Sequence, residues 1–238
     1  MTLYEQPTRR EKALAWGVHV YTASGAVFGI LAMLAAFEQQ WMLSFMWMSV
    51  TLFVDAVDGT LARRFRVKEV VPGFDGALLD NMVDYFTYVI VPTIVLYMAN
   101  MVPEQFIIGT IALISLTSAF QFCQTDAKTE DHYFKGFPSY WNVVIMYLFL
   151  LETSQVTNLI VLTICAILVF VPIKYLYPSR TKIFQKLTLF LNMLWAIAFV
   201  AAMVLYPNAP QWIIQSSLLF LVYYLGASLY LTISTRSK

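Results

Sequence analysis

An all-α, polytopic membrane helical bundle is the fold class this chain predicts, on three observations. Of its 238 residues, 60% are hydrophobic and only 12% charged, about half the charged fraction of an ordinary soluble domain. The apolar residues gather into eight stretches, approximately 13–36, 41–61, 75–99, 103–123, 139–152, 156–176, 187–206 and 211–233, most of them near the roughly 20 residues a spanning helix needs. Threaded through eight spans, all fifteen Lys and Arg residues fall on one face, as basic residues do in cytoplasmic loops. About eight transmembrane helices with both termini cytoplasmic are therefore expected. A single membrane domain over 1–238 follows, because no linker, charge block or internal repeat divides the chain.

Arg9, Arg10 and Lys12 precede the first span, whose apolar run is too long for a secretory leader and lacks a cleavage site, so a retained helix is expected. That span carries His19, Thr22, Ser24, Gly25 and Gly29, a small and polar face suited to close packing or to lining a site. The second span ends on Arg63 and Arg64 and leads into a basic connector with Arg66 and Lys68. Asp75 stands at the entrance of the third span, where an acid complements the helix dipole, and reads as a cap. The fifth stretch is the shortest. Lys128 and Lys135 follow the fourth span, Lys174, Arg180, Lys182 and Lys186 surround the link after the sixth, and the opposite loops hold no Lys or Arg. Cys123 and Cys165 are isolated and read as small packing residues.

Four carboxylates interrupt this oily chain. Asp55 and Asp58 are three apart near the end of the second span, and Asp80 and Asp84 are four apart near the start of the third. On helices each pair projects from one face, and two antiparallel helices would bring the four together. Four carboxylates at one point do not all stay ionised without cations between them, and hard divalent ions are the natural partners for oxygen donors. An intramembrane Asp is expensive to insert, which also points to function. The structural alternative is pairing with Arg63 and Arg64 in salt bridges.

The run Asp55-x2-Asp58-Gly59-x2-Ala62-Arg63, followed by Gly76-x3-Asp80-x3-Asp84, resembles the signature of the CDP-alcohol phosphotransferases. Eight fixed residues occur in order at the family's local spacings. The spacer of residues 64 to 75 is longer than the common form and is similar to the branch that makes phosphatidylcholine in bacteria. His19-x2-Thr22-Ala-Ser-Gly25, Pro72-Gly-Phe-Asp75-Gly76, Asp84-Tyr85-Phe-Thr-Tyr88 and Gly136-Phe-Pro-Ser-Tyr140-Trp141-Asn142 look like that branch too.

The resemblance implies transfer of the phosphatidyl group of CDP-diacylglycerol to choline. It implies Asp55, Asp58, Asp80 and Asp84 as ligands of two divalent ions, Mn2+ or Mg2+, with Asp84 also the general base. Thr22, Gly59, Ala62, Arg63 and Gly76 would line the cytidine diphosphate pocket. It further implies a homodimer in the bacterial inner membrane, with the site facing the cytoplasm, membrane lipid around it and no nucleic acid partner. Choline, a quaternary ammonium, suits an aromatic cage, for which Trp141, Tyr140, Tyr85 and Tyr88 are the candidates. Serine is the competing acceptor, and its carboxylate would need a cation such as Lys135 or Arg180. An ion-coupled transporter is the alternative from another class, but it predicts acids at mid-bilayer and related halves.

Overall fold

The computed structural model describes residues 6–127, 129, 133–177, 181 and 183–236, without the side chains of 235 and 236. Its helices are α1 (Arg9–Phe37), α2 (Trp41–Arg64), α3 (Val67–Val70), α4 (Gly76–Tyr85), α5 (Val91–Met98), α6 (Ile107–Cys123), α7 (Trp141–Leu150), α8 (Gln155–Leu168), α9 (Gln185–Leu205) and α10 (Gln211–Arg236). A π-helical turn, Phe86–Ile90, joins α4 to α5, so that Gly76–Met98 is one apolar helix. The chain divides into two compact units, Met1–Val91 and Pro92–Lys238.

In the first unit α1 begins on a reciprocal cap. The Thr8 hydroxyl accepts from the Glu11 amide at 3.2 Å while the Glu11 carboxylate accepts from the Thr8 amide at 2.8 Å. The buried face of α1 is made of Ala15, Val18, His19, Thr22, Gly25, Gly29, Ala32, Ala35 and Ala36, and it packs against α2, α3 and α4. Small residues let the backbones approach. A Cβ on Gly25 would stand 2.8 Å from Val83 Cγ1, and one on Gly29 would stand 2.6 Å from Phe86 Cε1. The Ser44 hydroxyl donates to the Ala32 carbonyl at 2.8 Å and fastens α2 to α1. The basic connector is not a bare loop: Val67 and Val70 of α3 bury with Ala15 and Val18, and Leu61, Ala62, Phe65 and Val71 pack around them. Asp75 caps α4 as expected, accepting from the Leu78 amide at 3.0 Å. Pro92, with no amide hydrogen, stands two residues past the π turn and denies the helix one of its ordinary bonds there.

In the second unit the turn after α5 is bound to the start of α8. Gln155 Nε2 donates to the Asn100 carbonyl and Asn158 Nδ2 to the Met101 carbonyl, each at 2.7 Å. Asn100 and Glu152 turn in the left-handed region, φ 49° for both. α7 is buried on almost every side. Its Tyr147 hydroxyl accepts from Trp195 of α9 at 2.8 Å and donates to Ser217 of α10 at 2.6 Å, joining three helices through one polar point.

The all-α expectation is amended by a two-stranded antiparallel ribbon, β1 (Tyr133–Lys135) with β2 (Lys174–Leu176). The free edge of β2 is closed by α10: the amides of Lys174 and Leu176 donate to Thr232 and Ser228, and the Tyr224 hydroxyl donates to the Leu176 carbonyl. Those three α10 residues are spaced one turn apart, so a single helix face completes the strand.

Among the described residues, apolar helices occupy all eight expected positions, and six of them are long enough and apolar enough to cross a membrane. The count of eight spans is not reached by helix length. α7 has 10 residues and α8 has 14, about 15 and 21 Å at 1.5 Å per residue against a hydrocarbon core of about 30 Å.

Candidate active site

The four acids lie in the first unit, two on α2 and two on α4, and those of α2 are hydrogen-bonded by residues of α1 and of the π turn. One carboxylate oxygen from each of Asp55, Asp80 and Asp84 lies within 4.8 Å of the others, and all three residues are half-buried. Three hard oxygen donors at that separation could hold a metal ion. Asp58 is outside this trio. It is 5% exposed, accepts from the Thr22 hydroxyl at 2.9 Å, and lies within electrostatic reach of Asp80 and Asp55. The half-empty face of α1 thus does two things: its glycines bring it close, and Thr22 then satisfies a buried carboxylate.

Tyr88 takes a place that the sequence reading did not give it. Considered above for a choline cage, it is buried on the π turn, and its hydroxyl donates to Asp55 Oδ2 at 2.6 Å. It orients a candidate ligand from outside, as the partners of metal-binding groups do. Its position four residues after Asp84, on the same helix face, was the signal available in the sequence. Tyr85, next to Asp84, is half-buried.

Arg63 and Arg64, considered above as salt-bridge partners of the acids, make other contacts. Arg63 Nη2 donates to Thr60 at 3.0 Å, and the Arg64 guanidinium lies over the Phe65 ring, 6.0 Å from its centroid. Arg63 is exposed and folds back over Gly59, where a Cβ would meet only Arg63 Nη1, at 3.4 Å. Glycine here leaves open space beside a guanidinium, a cradle that a larger side chain would fill. Ala62 is half-buried against the α3 cluster. Gly76 faces the His19 ring, and a Cβ there would stand 2.7 Å from His19 Cε1.

The remaining candidates belong to the second unit. Trp141 is fully buried, its indole donating to Ser118 at 2.6 Å and its ring set edge-on to Phe137. Tyr140 is half-buried, with its ring 6.3 Å from that of Phe134. Lys135, considered for a serine carboxylate, donates to Asp126 at 2.6 Å, and that bond holds the Asp126 carboxyl below its ordinary range. Lys174 lies over Tyr133, 5.4 Å from the ring centroid. Arg180 is outside the described residues.

No family model matches the chain. Curated relatives do. It is 41% identical over 225 residues to a phosphatidylcholine synthase of Legionella pneumophila, covering 92% of this chain and 88% of that one. It is 42% identical over 214 residues to one of Legionella bozemanae, covering 87% and 99%. A phosphatidylcholine synthase of Borreliella burgdorferi is 38% identical over 227 residues, covering 94% and 97%.

Proposed function

Because the chain belongs to the phosphatidylcholine synthases, a branch of the CDP-alcohol phosphotransferases, we propose that it transfers the phosphatidyl group of CDP-diacylglycerol to choline at the carboxylates of α2 and α4. The observation that carries this reading is the convergence of Asp55, Asp80 and Asp84 in a chain so similar to enzymes of that name.

In the reaction the choline oxygen forms a bond to the phosphorus that bears diacylglycerol, the phosphoanhydride bond breaks, and CMP leaves. The hydroxyl proton must go to a base, and Asp84, on the helix face that also presents Asp80, takes it. Asp55, Asp80 and Asp84, with Asp58 one turn from Asp55, would hold two divalent ions, Mn2+ or Mg2+. Such ions, when bound, neutralise and polarise the diphosphate oxygens. Thr22 and Tyr88 hold Asp58 and Asp55 in orientation. Arg63, over the open space at Gly59, is the fork for phosphate oxygens. Of the aromatic candidates for the choline cation, Tyr85 stands beside the proposed base, whereas the Tyr88 hydroxyl and the Trp141 indole are engaged by Asp55 and Ser118.

The same reading places the site at the cytoplasmic face of the bacterial inner membrane. α7 and α8 are consecutive, so leaving both short of a crossing keeps every basic residue on one face. Six spans and eight spans therefore agree on cytoplasmic termini.

Purified protein given CDP-diacylglycerol, Mn2+ and labelled choline or labelled serine tests the function. Labelled phosphatidylcholine with an equal amount of CMP is expected. Incorporation of serine in preference, or of neither alcohol, contradicts it.

A further inference from the structure

The start of α1 and the connector after α2 meet because Ala15 and Val18 pack on Val67 and Val70 of α3. That contact brings six cations to the same end of the first unit: Arg9, Arg10 and Lys12 from α1, and Arg64, Arg66 and Lys68 from the end of α2 and the connector. Only Glu11 and Glu69 stand among them. Between the two segments lies a cleft of about 130 Å³, lined by Glu11, Leu14, Arg64, Phe65 and Arg66. None of these residues takes part in the reaction derived above.

The cleft has two kinds of wall. Leu14, 41% exposed, and Phe65 make one side apolar. Two guanidinium groups make the other. That of Arg64 lies over the Phe65 ring, 6.0 Å from its centroid, and a guanidinium so placed keeps its N–H donors in its own plane, open to oxygen acceptors. Arg66 is held in the left-handed region, φ 47° and ψ 43°, a backbone uncommon for a residue with a Cβ and frequent where ligands are clamped. Its ion pairs are loose, 3.9 Å to Glu11 and 3.4 Å to Glu69, between well-exposed side chains. Pairs of that kind contribute little, so a phosphate forked by both arginines can displace them. Glu11 is itself engaged by the helix cap, its Oε2 accepting from the Thr8 amide and hydroxyl at 2.8 Å each.

The level of the cleft selects its occupant. From its cations α1 runs through Leu14 to Trp16, 46% exposed, and on to the exposed apolar residues Val20 and Val27. A tryptophan at such a junction marks the depth of lipid headgroups. Donors on one wall and hydrocarbon on the other, at that depth, match the polarity of a phospholipid: phosphate to the guanidinium groups, glycerol and first methylenes to Leu14 and Phe65. A free phosphate would leave the apolar wall unused. Six cations against two acids favour a headgroup of net negative charge and disfavour one that carries a quaternary ammonium.

We propose that this cleft binds an anionic phospholipid, apart from the acids of α2 and α4, and that the bound lipid fastens the connector of residues 65–75 to α1. The test is binding of phosphatidylglycerol to the purified full-length protein in detergent, without choline, metal or turnover, so that its outcome is independent of the reaction. Wild type should retain phosphatidylglycerol in native mass spectrometry and show a raised thermal midpoint with it, and should do neither with phosphatidylcholine or with glycerol phosphate. Arg64→Gln together with Arg66→Gln should weaken phosphatidylglycerol about 25-fold, roughly fivefold for each guanidinium. Arg9→Gln together with Arg10→Gln removes the same charge outside the cleft and should weaken it less. Leu14→Trp, at an exposed position, fills the cleft, keeps every charge and should weaken it too. Phosphatidylcholine or glycerol phosphate bound as well as phosphatidylglycerol, equal losses in the two arginine pairs, or unaltered binding in Leu14→Trp would overturn the proposal, the last two leaving only diffuse attraction between basic residues and an anionic surface.

Discussion

Replacing Asp84 by Asn keeps the side chain's shape and removes its charge and basicity. The transfer rate should fall about 10²- to 10⁴-fold, the usual contribution of a general base, while CMP still raises the thermal midpoint of the purified protein. An Asp84→Asn protein turning over at the wild-type rate excludes the assignment. Tyr88→Phe removes only the hydroxyl that Asp55 accepts from. Apparent Mn2+ affinity should drop about 10- to 100-fold, as it does when the partner of a metal ligand is lost, with the fold intact by circular dichroism. An unchanged Mn2+ titration would confine Tyr88 to packing. The acids themselves were plain in the sequence because carboxylates are rare in an apolar chain and their spacing is helical. The engagement of Tyr88 was not, since an interfacial tyrosine has several ordinary uses and composition does not choose among them.

Between helices, the glycines of α1 decide how closely α2 and α4 approach. Gly29→Ala places a Cβ about where Phe86 Cε1 already lies, 2.6 Å away, and should cost about 1–3 kcal/mol as overpacking, seen as a lower thermal midpoint. Gly17→Ala meets nothing within 4 Å and should not lower it. Equal effects of the two would mean that the close packing of α1 does not matter. Helix positions were legible because an apolar run of spanning length is a strong signal. The ribbon of β1 and β2 was not, because three residues per strand carry no periodicity and its outer edge is completed by hydroxyls about fifty residues downstream. α3 escaped for a similar reason: Val67 and Val70 are one helical turn within a stretch whose charges suggested only a basic connector.

For the molecule as a whole, the placement of every basic residue on one face makes a prediction independent of the chemistry. Cysteines introduced at Arg10 and at Arg64 should both react with a membrane-impermeant reagent only when the cytoplasmic side is open, and one introduced at Gln39, in the turn between α1 and α2, only from the other side. Labelling of residues 10 and 39 from the same side would break the topology. The central claim is that the acids of α2 and α4 form a divalent-ion site, and the most direct measurement of it is the binding of Mn2+ to the purified protein, followed by electron paramagnetic resonance. The account predicts about two ions in wild type and loss of binding in Asp55→Asn and Asp80→Asn proteins that remain folded; equal Mn2+ binding by wild type and both variants would contradict it.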